Sequence, residues 1–163
     1  MQVFSPGQVL TASDVMKWLQ PRAAFKTANE TINSDSTLST DTDIQGIAVD
    51  ANSMYRIDMF LDIESGTVPD FKFDLTLPAS TVLRAICAVM GAADNGTRYT
   101  EADIQAVSCS GGTGGGSDRF TMSGYLYTAG TAGNVALRWA QNTLDAGGTT
   151  LKKGSHITLT KFG

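Results

Sequence analysis

The sequence predicts an all-β chain: an antiparallel two-sheet β-sandwich of jelly-roll type, preceded by a short N-terminal arm and helix. Three observations predict it. Several segments alternate apolar and polar side chains with period two. Clusters of Gly, Asn, Asp and Ser separate these segments at the spacing of a sandwich. Past residue 21 no helical periodicity is interleaved with them. A low charged fraction of 17% and 17 glycines among 163 residues agree with a turn-rich β-protein. The length suits one domain with a substantial core, so residues 1–21 are assigned to the arm and helix and 22–163 to the sandwich.

The opening "FSPGQVLTASDVMKWLQP" (4–21) carries its own punctuation. Pro6-Gly7 fits the centre of a type II turn. Thr11 is the expected N-cap, with Asp14 three residues on in a capping-box arrangement. Leu10 and Val15 sit at the staple positions, and Val15, Trp18 and Leu19 share one helical face. Pro21 ends the helix by about Gln20. Some two turns of helix cannot stand alone in water, so the face of Leu10, Val15, Trp18 and Leu19 is read as an anchor that docks on a partner or on its own sandwich.

Period two then takes over. "SMYRIDMFLDI" puts Tyr55, Ile57, Met59, Leu61 and Ile63 on one face and Arg56, Asp58 and Asp62 on the other, with Phe60 an apolar exception. "DFKFDLTLP" points Phe71, Phe73, Leu75 and Leu77 inward against Lys72, Asp74 and Thr76. "RFTMSGYLYT" alternates Phe120, Met122 and Leu126 with Thr121, Ser123, Tyr125 and Tyr127. "NVALRWAQN" sets Val135, Leu137 and Trp139 inward, and "SHITLTKF" does so with Ile157 and Leu159. "TVLRAICAVM" (81–90) is apolar on both faces apart from Arg84, more than one sandwich face buries, which suggests a subunit contact. Further strands are expected near 23–27, 44–50, 104–108 and 149–152, for eight to ten in all. A short helical turn is expected at 99–102. Turns are expected at 33–36, 64–69, 93–96, 110–117, 129–133 and 145–148.

Charge and motifs narrow the function. Twelve basic against sixteen acidic side chains leave a net charge of −4, against a general nucleic-acid binder. No apolar run approaches a membrane span, and no secretory leader is expected. Cys87 reads as a buried thiol; a disulfide with Cys109 is the alternative. His156, the only histidine, has no ligand-spaced partner and reads as a strand residue. "SGGTGGGSD" (110–118) has the composition of a phosphate loop but lacks its G-K-[ST] ending and leads into a strand, so it reads as a loop between strands. "STDTD" (39–43) gathers oxygen donors. Asp41 and Asp43 are a weak calcium alternative to a turn held by Asx-type bonds. No cofactor and no catalytic set is expected. Trp139 reads as core. Tyr125 and Tyr127, together on the opposite face, are the candidate surface-binding residues: an interface first, a sugar platform second.

Two stretches resemble a known family. "PGQVLTASDVMKWL" resembles the opening of many tailed-phage structural proteins. "FKTANETINSDSTLSTDTDIQGIAVDANSMYRIDMFLDIES", with "DFKFDLTLP", "AGTAGNVALRWAQN" and "GSHITLTKF" after it, is similar to a β-domain common in actinobacterial phages. The resemblance implies a non-enzymatic virion protein, assembled in the host bacterial cytoplasm. It would be a homo-oligomer, with a trimer favoured, that decorates or stabilises the capsid or forms part of a tail appendage. Its expected partners are further copies of itself and the major capsid or tail protein. The alternative is a receptor-binding module for host cell-wall carbohydrate, with Tyr125, Tyr127 and the 110–118 loop as its first candidates.

Overall fold

The computed structural model describes residues 9, 11, 20–91, 98–101, 109–111 and 116–162; at 91, 98–101 and 109–111 it describes the backbone alone. Thirteen strands occur among them: β1 (Arg22–Phe25), β2 (Glu30–Ile32), β3 (Ser39–Thr40), β4 (Ile47–Val49), β5 (Met54–Ser65), β6 (Phe71–Thr76), β7 (Val82–Gly91), β8 (Arg98–Glu101), β9 (Cys109–Gly111), β10 (Gly116–Tyr127), β11 (Gly133–Ala140), β12 (Thr149–Leu151) and β13 (His156–Lys161). They form an eight-stranded sheet in the order β1-β13-β5-β10-β7-β8, with β12 and β2 added beside the far end of β5. A five-stranded sheet runs β3-β11-β6-β9, with β4 also on β11. Every pairing is antiparallel.

Alternation along each long strand decides which face is buried. In β5, Tyr55, Ile57, Leu61 and Ile63 are fully buried and Met59 nearly so; β10 contributes Phe120, Met122 and Leu126 to the same side. The small sheet answers with Phe71, Phe73, Leu75, Val135, Leu137 and Trp139. The layers meet in an aromatic cluster. Phe120 of the large sheet lies 5.3 Å from Phe71 and 5.7 Å, edge-on, from Phe73, while Trp139 stands 5.8 Å from Phe71. Burying each large side chain contributes roughly 1.5–3 kcal/mol, and aromatic pairing adds about 1. Gly124, between β5 and β7, is required by space: a Cβ there would come within 2.1 Å of the Arg84 carbonyl oxygen and 2.5 Å of Ala85 Cα.

A second knot ties the sheet's edge. Asp50 accepts from Arg22 at 2.9 Å, Lys161 at 3.0 Å and the Tyr55 hydroxyl at 3.1 Å. The Lys161 bond, then those of Arg22 and Tyr55, outweigh partial burial and lower its pKa to about 2. The turn after it is pinned to β10's end: Thr128 Oγ1 donates to the Asp50 carbonyl at 2.6 Å and accepts from Ser53 N–H at 3.0 Å.

Several expectations change. Of the helical turn expected at 99–102, residues 99–101 lie in the strand Arg98–Glu101 beside β7; pairing to a long apolar strand overrides a weak local helix preference. Ser110 and Gly111 belong to β9, and Gly116 and Ser117 to β10, so the turn expected at 110–117 is shorter. Asp74, placed on the polar face, is 5% exposed because Arg138 covers it, Nε donating at 2.7 Å. The pairs β2–β12 and β3–β11 were not foreseen. Among the described residues no helix occurs. The anchor side chains Leu10, Val15, Trp18 and Leu19, and the strand expected at 104–108, lie outside the described residues.

Candidate functional site

Two places combine chemistry with unusual burial. The first lies under β1 and β3. Lys26 follows β1, and period-two parity with Ala24 turns its side chain inward, leaving 2% of it exposed. Its backbone is held to the turn before β13: Lys26 N–H donates to Ser155 O at 2.7 Å and Gly154 N–H to Lys26 O at 3.0 Å. Asp41 follows β3 and is 1% exposed. Its Oδ1 accepts from the backbone N–H groups of Asp43 at 2.9 Å and Ile44 at 2.7 Å, in an Asx-type turn. Its Oδ2 accepts from Lys26 Nζ at 2.8 Å and Trp139 Nε1 at 3.0 Å. Lys26 also binds Glu30 and reaches Thr42 Oγ1 at 3.3 Å. Burial alone would lower the Lys26 pKa, but the bonds to Asp41 and Glu30 reverse the sign and raise it.

The weak calcium alternative at Asp41 and Asp43 meets this cluster directly. Four donors fill both oxygens of Asp41, one of them the Lys26 ammonium. Asp43 accepts from the N–H and hydroxyl of Thr27, both at 2.9 Å, which hold its pKa below the usual carboxylate range. Among the described residues no group of three or more His, Cys, Asp or Glu side chains stands ready for a metal. Sequence reasoning missed Lys26. The parity of Arg22, Ala24 and Lys26 was the available signal, and lysine's usual place in water argued against it.

The second place is the outer face of the large sheet. Register puts Phe25, His156, Phe60, Thr121 and Ala88 in one row across β1, β13, β5, β10 and β7. The neighbouring row holds Asp58, Ser123 and Ile86, and the next holds Arg56, Tyr125 and Arg84. His156 stacks on Phe60 at 5.9 Å, and its Nδ1 lies 2.9 Å from Gly154 O, so the histidine belongs to this surface. Ser123 Oγ donates to Asp58 at 2.8 Å, and Arg56 pairs with the same carboxylate at 2.8 Å. These side chains bound an open hollow of about 510 Å³ whose rim includes Phe60, Ile86, Ala88, Thr121 and His156.

Tyr125 and Tyr127 stand where the alternation put them, outward on β10 and 39% and 42% exposed. Trp139 is core, and Cys87 faces the core as a buried thiol. The side chain of Cys109 and residues 112–115 lie outside the described residues.

No family model matches the chain, and no curated protein matches it. Among solved structures it is similar to the tripod from the baseplate of bacteriophage Tuc2009, at 10% identity and TM-score 0.33, over 99% of this chain and 74% of that one. It is similar also to infectious bursal disease virus, Gx strain, at 14% identity and TM-score 0.22, over 98% of this chain and 44% of that one. The VP2 subviral particle of infectious bursal disease virus gives 12% identity and TM-score 0.21, with 98% and 44% covered. The chain thus spans under half the length of the two infectious bursal disease virus chains.

Proposed function

We propose that this chain is a non-enzymatic structural component of a phage virion: a homo-oligomeric β-sandwich that decorates or stabilises the capsid or forms part of a tail appendage. One observation carries the reading. The large sheet, stiffened beneath by a continuous aromatic and aliphatic core, presents aromatic and apolar side chains outward, the composition of a protein–protein contact. The resemblance of residues 6–19 and 25–65 to phage structural proteins supports the virion setting and favours a trimer. In this reading the segment 4–21 forms a short helix whose Leu10, Val15, Trp18 and Leu19 dock on the major capsid or tail protein. Deletion of residues 1–21 is expected to leave a folded sandwich that no longer joins virions, scored by immunogold labelling of particles. Normal incorporation of the truncated chain overturns the anchor.

A second reading is favoured by the hollow, where Asp58, Ser123, Thr121 and His156 offer hydrogen-bonding groups beside Phe60 and near Tyr125. That mixture suits a sugar of the host cell wall. A glycan array with the purified oligomer tests it, and silence across cell-wall glycans overturns it.

A further inference from the structure

The outer face of β13, β5, β10 and β7, extended by Phe25 of β1, has a composition that selects its occupant. Five of the nine large apolar side chains exposed among the described residues lie on it: Phe25, Ile86, Met90, Tyr125 and Tyr127. Phe162, just past β13 with its N–H donating to Met54 O at 3.0 Å, stands at the edge of the same face, whereas Val68 and Leu144 lie in the loops after β5 and β11.

Charge singles out the partner. The chain carries a net −4, so two copies repel over most of their surface. The outward side chains of these strands include Arg56, Arg84 and Arg119 against Asp58, Asp62 and Glu64, which is 3 − 3 = 0. Two of the three opposite-charge pairs are also balanced locally: Arg56 pairs with Asp58, and Arg119 lies directly opposite Asp62 in the β5–β10 register. An identical partner brings identical charges, and a face that neutralises its own charge meets its copy without net repulsion.

Size agrees. Five strands at about 4.8 Å spacing and nine residues at about 3.3 Å each give a face of roughly 700 Å². Two such faces bury about 1,400 Å², within the range of specific interfaces. We infer that this face is where two copies of this chain join about a two-fold axis, with the hollow beside Phe60 and Ile86 filled by side chains of the neighbouring copy. The inference rests on the homo-oligomer in the proposed function and names the surface of a two-fold contact within it, distinct from the contacts that would close a trimer.

Light scattering on the full chain, wild type beside Ile86→Lys, Met90→Lys and Tyr127→Arg, tests it. Wild type is expected at an even multiple of the 17.2 kDa chain mass and each variant at half the wild-type mass. Far-ultraviolet circular dichroism is expected to show unchanged β-structure, because all three side chains point to solvent. Should a lysine variant misfold, Ile86→Ser with Met90→Ser replaces it. Leu144→Lys, away from the face, is expected to keep the wild-type mass. A monomeric wild type overturns both this inference and the homo-oligomer. A wild-type oligomer that survives all three variants overturns the face alone. Glycan binding by a monomeric wild type assigns the face to sugar instead.

Discussion

The Lys26–Asp41 cluster and the outer face of the large sheet use the same kinds of side chain to opposite ends. Both contain carboxylates, cations and aromatic rings. In the cluster every acceptor position of Asp41 is filled and the ions lie out of water, so the arrangement holds only if no partner is lost. On the outer face the paired ions are half in water, and aromatic rings stand clear of the core. One region fixes the chain's own shape, whereas the other has surface left to give to a neighbour.

The largest expected effect breaks the first region. Asp41→Ala leaves Lys26 buried without its main carboxylate and orphans Trp139 Nε1 and two backbone N–H groups. A loss of about 3–5 kcal/mol is expected, read from the midpoint of urea unfolding. Gly124→Val tests the close approach of β7 to β10. With the backbone of Arg84 and Ala85 in the way, a loss of about 2–4 kcal/mol is expected, and a neutral result would show that β7 can shift. Trp139→Phe keeps an aromatic ring and removes one donor to Asp41, so about 1–2 kcal/mol is expected from the same urea measurement.

Asp50 gives a smaller, pH-dependent effect. Its carboxyl is depressed in the folded state, from 3.8 to about 2, so it is ionised and bonded when folded but takes up a proton more readily when unfolded. Its contribution is therefore complete above about pH 4 and lost as pH falls through about 2. It is half exposed, so solvent screening holds that contribution to about 1 kcal/mol or less. Asp50→Asn is expected to lower the neutral limb of a thermal-stability profile by about 1 kcal/mol or less, to flatten the fall between pH 4 and 2, and to meet wild type near pH 2. Smallest of all is Tyr125→Ser on the outer face. It is expected to move single-chain stability by less than about 0.5 kcal/mol, and a larger change measured on monomer would return Tyr125 to the core side of the comparison.

The legibility of each region follows from its physics. Alternation exposes a half-buried strand, so the buried sides of β5, β6, β10, β11 and β13, and the outward tyrosines, could be read directly. Strand order could not, because β1 pairs with β13 and β5 with β10 across loops that leave no periodic signal. The strands β2 and β3, three and two residues long, are too short to carry a period. Lys26 was hidden for another reason. Its burial depends on Asp41, Glu30 and Trp139, which come from three other segments, and no local pattern records that meeting. The acidic "STDTD" was noticed for its oxygen atoms, but the cation that occupies them lies thirteen residues before it.

The position of β13 between β1 and β5 bears on how the molecule is made. The first strand of the sandwich finds its neighbour only in residues 156–159, more than 130 positions later in the chain (156 − 25 = 131). Until then β1 has no partner strand in this sheet and one edge of β5 stays open along residues 55–60. The sheet therefore cannot close before residues 156–161 have emerged, and closure is expected as one late, slow, cooperative event. During that interval the exposed edges are what a chaperone would recognise and what crowding would punish.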